Sequence, residues 1–262
     1  MESGTVAHVV EACWRLSPGE TAAIGAQGLW VVDGGIEVFR REAQRWYEAI
    51  GLRTPPDMPQ WLPSAILYEC NAGGHIDSRF SDGGGFAELA RSADYIAELG
   101  VTTVWLQSVF SHKTPPDPMR GGWNLYSPRD FAKIDEILGG PEGLRTLMAA
   151  FRRNQLHILG ELVPHGGDST QAIALPAWWT CRRDGQPARN WGGCAMDYSS
   201  PDWQSAMRDA ARLLANEFGF EGIRVDVADG SGPNWNAPGR NHASLSTLRG
   251  SVDMLRAMRE GM

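Results

Sequence analysis

Arg224 and Asp226, in the stretch GIRVDVADG, are the pair in this sequence best placed to do chemistry. They stand two positions apart in an apolar, β-branched run, so on a strand both side chains point to the same side. A carboxylate buried alone at a strand end is costly. A neighbouring guanidinium supplies the pairing and favours the ionised form. A fixed, ionised carboxylate can attack an electrophilic carbon, as in a double displacement at the anomeric centre of a sugar. The same spacing serves equally well for a structural ion pair at a sheet rim, and spacing alone leaves both readings open.

A second cluster follows the run LHILGELVPH, where Glu161 and His165 sit at a strand terminus. A carboxylate and an imidazole there can bind sugar hydroxyls, hold a metal, or join a network with Arg224 and Asp226. A lone histidine is more often structural than ligating. The chain also carries eleven tryptophans, several of them in loop-like segments: Trp123, Trp178, Trp179, Trp191 and Trp235. A loop tryptophan can offer a flat apolar face to the C–H side of a sugar, or simply pack a long loop.

The elements that must position these groups alternate along the chain. Ile36, Phe39, Ala43, Trp46 and Ile50 recur at helical spacing and stop at Gly51. The preceding LSPGETAAIGAQGLWVVDGG reads as strands joined by Gly-rich turns, and the following TPPDMPQW as an extended linker. From Ser64 onward, strand SAILYEC, helix FAELARSADYIAELG and strand VTTVWLQSVF succeed one another. Helix PEGLRTLMAAFRRN, strand LHILGELV, helix PDWQSAMRDAARLLANEFG, strand EGIRVDVA and helix SLSTLRGSVDMLRAMREG complete the series. Strands alternating with helices predict parallel βαβ units. Long strand-to-helix loops favour the first four units of a TIM-type (β/α)8 barrel, whose active sites lie on those loops. A doubly wound sheet is the alternative, but no GxGxxG follows the first strand. The division expected is an N-terminal β/helix segment over 1–60 and a partial barrel over 61–262.

Composition narrows the partners. A formal charge of −7 and a pI near 5.4 argue against nucleic acid. No apolar run is long enough for a membrane span, and the N-terminus lacks the basic and apolar regions of a signal peptide. A cytoplasmic location is therefore expected. Four cysteines do not make a disulfide framework. Cys181 and Cys194 flank one loop and could pair, but reduced thiols suit that compartment.

Several segments, in order from Ser64 to the C-terminus, resemble the α-amylase family, glycoside hydrolase family 13. LGVTTVWLQSVF is similar to the family's second strand. GGWNLYSPRDFAKIDEILGGPEGLRTLMAAFRRNQLHILGELVPHG resembles the segment reaching its third-strand motif. GIRVD stands where the family has GFRxD, and this match is the most specific. The resemblance implies a retaining glycosidase or transglycosylase acting on α-glucosidic bonds of an oligo- or polysaccharide. It makes Asp226 the nucleophile and Arg224 its orienting arginine. Trp123 takes the place of the tyrosine that stacks on the sugar, and Glu161 that of the aspartate opening the third-strand motif.

Departures limit what the resemblance implies. The family motif DxVxNH reads ELVPHG here, so His165 occupies the Asn position and the sugar-binding His is lost or shifted by one. That Asn often helps bind calcium, so the case for calcium is weak, and neither metal nor cofactor is expected. Asp229 and Gly230 replace the Lys-His that follows the nucleophile in many amylases. The family's general acid lies on strand five, beyond the four units seen. The expectation is therefore a fragment, inactive alone. A non-catalytic glycan- or protein-binding descendant is the second reading. A metal-dependent hydrolase using His75 and His165 is the third, against which no HxH or HExxH occurs.

Overall fold

The computed structural model describes residues 16–21, 31, 33–49, 51, 53–73, 85–112, 126, 128–167, 178–190, 193–229, 232–235 and 249–262. The chain forms two compact units, one of Ile66–Met262 with Met1–Gly19, the other of Glu20–Ala65. In the smaller unit, α1 (Ile36–Ala49) follows the expected helical pattern, and Gly51 ends it at φ 84. No residue of α1 is buried, although Ile36, Phe39, Trp46 and Tyr47 are exposed apolar side chains. The strands expected before α1 lie largely outside the described residues, and residues 16–21 contain only a turn.

The larger unit is built on a parallel sheet of four strands, β1 (Leu67–Cys70), β2 (Thr103–Leu106), β5 (His157–Leu162) and β9 (Gly222–Val225). Their order in the sheet is β1-β2-β5-β9, all parallel. Each successive strand adds on the same side of the last. A doubly wound sheet instead returns to the far side of its first strand.

The helices α2 (Gly85–Arg91), α3 (Ala93–Glu98), α4 (Gly140–Arg153), α5 (Pro201–Arg212) and α6 (Arg249–Gly261) contribute to one core with this sheet. Val104, Leu106, Ile158 and Leu162 point into it and are fully buried with Phe86, Leu144, Phe151, Trp203, Met207 and Met254. Gly160 belongs to the same face, where a Cβ would meet Phe220 and Leu214 at 3.0 and 3.1 Å. Side chains alternate along a strand, so Leu67, Glu69, Trp105, Leu159, Glu161 and Arg224 share the opposite face. That face is only partly covered: Leu67 and Glu69 are exposed, and Trp105 and Leu159 are half-buried.

Local chemistry modifies several expected elements. The helix expected over FAELARSADYIAELG divides at Ser92, whose backbone N–H is shared between the Glu88 and Leu89 carbonyls at 3.2 and 3.1 Å and whose hydroxyl also bonds the Glu88 carbonyl at 3.2 Å. The second expected strand also divides. Its tail becomes β3 (Phe110–His112), antiparallel to β4 (Pro128–Ile134). The long Trp-rich loop contains a three-stranded antiparallel sheet of β6 (Gly166–Gly167), β7 (Arg189–Asn190) and β8 (Gly193–Ala195), in the order β6-β8-β7. After α5 the chain widens into a π-helical turn, Leu213–Phe218, ended by Gly219 at φ 73. Arg152 donates to the carbonyls of Phe218 and Gly219 at 2.6 and 3.1 Å, satisfying that end. Among the described residues no helix is long and apolar enough to cross a membrane.

Candidate active site

The carboxyl ends of β2, β5 and β9 meet at one place. Register pairs Glu161 of β5 with Arg224 of β9. The ladder runs one residue further, with the Asp226 N–H donating to the Leu162 carbonyl at 2.9 Å. Asp226 therefore stands just past the end of β9, on the same side as Arg224. The following residue, Val227, has φ 45. A β-branched residue in the left-handed region marks a sharp, sterically costly turn.

One guanidinium nitrogen bridges two carboxylates. Arg224 Nη1 donates to Glu161 Oε1 at 2.7 Å and to Asp226 Oδ1 at 2.6 Å. The other oxygen of each carboxylate is also engaged. Trp105 Nε1 donates to Glu161 Oε2 at 3.0 Å, and His165 Nε2 lies 3.0 Å from Asp226 Oδ2. The Arg224 guanidinium lies 4.7 Å from the centroid of the Trp105 ring, a cation–π contact that fixes its plane. Glu161 and His165 are buried, whereas the Asp226 side chain keeps 16 % of its surface accessible. Of the two carboxylates, only Asp226 is open to a ligand.

Burial and charge set the protonation states. Burial pushes the Glu161 carboxyl up to about 7, against the opposing pull of Arg224 and the Trp105 hydrogen bond. Burial likewise lowers the His165 imidazole below its usual value, which the Asp226 carboxylate only partly offsets. A neutral imidazole has one N–H, and donating it from Nε2 satisfies Asp226 Oδ2. Burial opposes the charge on Arg224, but Glu161 and Asp226 outweigh it and raise its pKa. Tyr126 faces the same field: burial, then Glu161, Asp226 and Glu69, hold its phenol protonated above the usual value.

Four of the five residues singled out from sequence fall within the described structure, and Glu161, His165, Arg224 and Asp226 form one connected network. Trp123 lies outside the described residues, as do His75, Trp191 and Gly230. His165, which stands at the Asn position of the family motif, contacts Asp226 directly. Trp105 was missed, although the alternation in TVWL sets it apart from Val104 and Leu106. Tyr126 carried no sequence signal beyond its nearness to Trp123.

Two of the described loop tryptophans have aromatic or cationic partners: Trp178 packs at a tilt against the fully buried Trp203 at 5.0 Å, and Trp235 lies under the Arg183 guanidinium at 4.2 Å. Cys181 and Cys194 are both buried, and no disulfide joins them. Among the described residues no three His, Cys, Asp or Glu side chains converge as a metal site would require.

The model of the α-amylase catalytic domain matches residues 71–175. A 1,4-α-glucan branching enzyme, GlgB 2 of Clostridium perfringens, is 28% identical over 144 residues, covering 51% of this chain and 20% of that protein. The trehalose synthase/amylase TreS of Mycolicibacterium smegmatis is 32% identical over 243 residues, covering 77% of this chain and 40% of its own. Among solved structures, an acarbose-soaked debranching enzyme of Nostoc punctiforme superposes with a TM-score of 0.55 at 16% identity. That match covers 78% of this chain and 49% of the other. The chain thus spans about a fifth of the length of the branching enzyme it matches.

Proposed function

We infer, for a chain whose residues 71–175 belong to the α-amylase catalytic-domain family, that it supplies the nucleophile half of a retaining site for α-glucosidic bonds. Asp226 is the nucleophile, Arg224 orients it, and His165 holds its second oxygen. The observation that carries this reading is the geometry at the end of β9. Asp226 is the accessible carboxylate, and each of its oxygens has one fixed partner. Such a group is preorganised to attack without first shedding a mobile hydrogen-bond shell.

In the first step, an Asp226 oxygen forms a bond to the anomeric carbon while the bond to the leaving oxygen breaks. The leaving oxygen must gain a proton. Glu161 is buried behind Arg224 and Trp105, so it does not face the bond being broken, and no residue of this chain is assigned as the acid. In the second step, the bond between Asp226 and the anomeric carbon breaks as the oxygen of water or a sugar hydroxyl bonds that carbon, and the acceptor's proton goes to the same unassigned acid–base group. The relatives include both branching and hydrolytic enzymes, and both outcomes fit the site.

The architecture we propose is a segment of a (β/α)8 barrel. Two features support it: four parallel strands add in one direction, and the sheet face opposite the helices is left partly uncovered. The substrate class, an α-linked oligo- or polysaccharide, is supported by the acarbose-soaked neighbour and the glucan-active relatives. The division at 60/61 belongs to the same proposal.

Covalent trapping tests the nucleophile. Incubation with 5-fluoro-α-glucosyl fluoride should give a one-to-one glycosyl adduct by intact mass, located at Asp226 by peptide mapping. Fluoride leaves without protonation, so the assay does not depend on an acid. Asp226→Asn should abolish the adduct, and an adduct formed equally well by that variant refutes the assignment.

A further inference from the structure

The chain must turn sharply immediately after Asp226, and it does so at a residue poorly suited to the turn. Val227 sits at φ 45, a left-handed conformation that a β-branched side chain adopts only under external constraint. Asp226 is attached directly to that turn, so the setting of Val227, together with Arg224 and His165, fixes where the carboxylate points.

Tyr198 supplies one such constraint. Tyr198, fully buried, donates its phenolic O–H to the Val227 carbonyl at 2.9 Å. Tyr198 is itself anchored, since Gln204 on α5 donates to its carbonyl at 2.9 Å. The preceding residue grips the other end of the same loop. Asp197, also buried, accepts from Asn234 Nδ2 at 2.8 Å, and from the Ser199 N–H and hydroxyl. Asn234 Oδ1 in turn accepts the Cys181 N–H at 3.0 Å. Residues 197 and 198 thus hold the segment after β9 at both 227 and 234.

We propose that Asp197 and Tyr198 form a clamp that positions Asp226, with Tyr198 holding Val227 in its left-handed turn and Asp197 fixing the loop's far end through Asn234. Tyr198 is a positioning residue: it acts on the nucleophile through one peptide unit and touches no reacting atom. The inference rests on the reading of Asp226 as nucleophile for its catalytic meaning, but its geometric content stands apart from that reading.

The test uses Tyr198→Phe, which keeps the ring and removes the donor, alone and with Val227→Gly. Glycine adopts the left-handed turn without an anchor, so the second substitution should make the first harmless. Two readouts are followed in the full chain. The first is the ring 15N signals of His165, which sense the Asp226 carboxylate 3.0 Å away. The second is the rate of trapping by 5-fluoro-α-glucosyl fluoride. Y198F should move the His165 Nε2 signal and slow trapping roughly tenfold, the factor that about 1.4 kcal/mol corresponds to. In the V227G background, Y198F should do neither. A Y198F protein that melts earlier but keeps the parental His165 signals and trapping rate overturns the clamp. If Y198F alone does not fold, restoration of folding by V227G supports the clamp, and failure to restore it counts against it. Absence of trapping in the parent would refute the nucleophile reading only, because the His165 signals still decide the clamp.

Discussion

Replacing Glu161 by Gln should change the pH dependence of stability, and the direction follows from one buried carboxyl. Glu161 is 1 % exposed and shares the Arg224 Nη1 donor with Asp226, while Trp105 holds its other oxygen. Its carboxyl is pushed from the ordinary 4.5 up to about 7, chiefly by burial. Below pH 4.5 the group is protonated in both folded and unfolded chains and exerts no pH-dependent effect. Between 4.5 and about 7 the unfolded chain releases the proton and the folded chain retains it, so stability falls across that window. Above about 7 both forms are ionised and the curve is flat. At about 1.4 kcal/mol per pH unit the loss amounts to about 3 kcal/mol. Glutamine cannot ionise, so E161Q lacks this slope. The lowered pKa of His165 contributes a slope of opposite sign, but it is common to both proteins and cancels in their difference. Urea denaturation of both proteins from about pH 4.5 to about pH 8, read by tryptophan fluorescence, measures that difference. E161Q should gain about 3 kcal/mol relative to the parent across the range. A difference constant to within about 0.5 kcal/mol would show that Glu161 titrates normally and that its burial carries no charge penalty.

Three further outcomes follow from the same geometry. Arg224→Lys keeps the charge but loses the planar guanidinium held over the Trp105 ring, so the nitrogen that bridges Glu161 and Asp226 is no longer fixed in place. With the guanidinium partly exposed, the cost should be about 1–2 kcal/mol in urea denaturation, with a loss of trapping larger than the loss of stability. The His165 ring should remain neutral below pH 6.5, because burial lowers its pKa. 15N NMR would show one protonated and one unprotonated nitrogen, and an imidazolium pattern at pH 6.5 would contradict it. Gly160→Ala places a Cβ at 3.0 Å from Phe220 and 3.1 Å from Leu214, which overpacks the core. A loss of folding stability of about 1–3 kcal/mol in urea denaturation is expected, with the His165 signals unchanged.

Local sequence dictated the alternation of strands and helices and the placement of Arg224 and Asp226 on one side of a strand. It did so because strand and helix periods differ, and because a run such as GIRVDVA admits one parity. It also placed Glu161 at a strand end, where the register with Arg224 is set by the parallel ladder. Breaks within elements were not legible. The division of the helix at Ser92 has no signal in FAELARSADYIAELG, and whether VTTVWLQSVF is one strand depends on a distant partner, β4. The roles of Trp178 and Trp235 were equally out of reach, because a ring that packs and a ring that binds look alike in one dimension.

The site's wiring belongs to the tertiary structure alone. His165 reaches Asp226 across 61 residues, Trp105 reaches Glu161 across 56, and Tyr198 grips the Val227 carbonyl from 29 residues upstream. Hydrogen bonds of this kind depend on strand register and loop return, and local sequence encodes neither. What the chain spells out is which carboxylates exist and which way their strands face them. Only packing decides that Glu161 is buried and Asp226 left open, and so which of the two can meet a substrate.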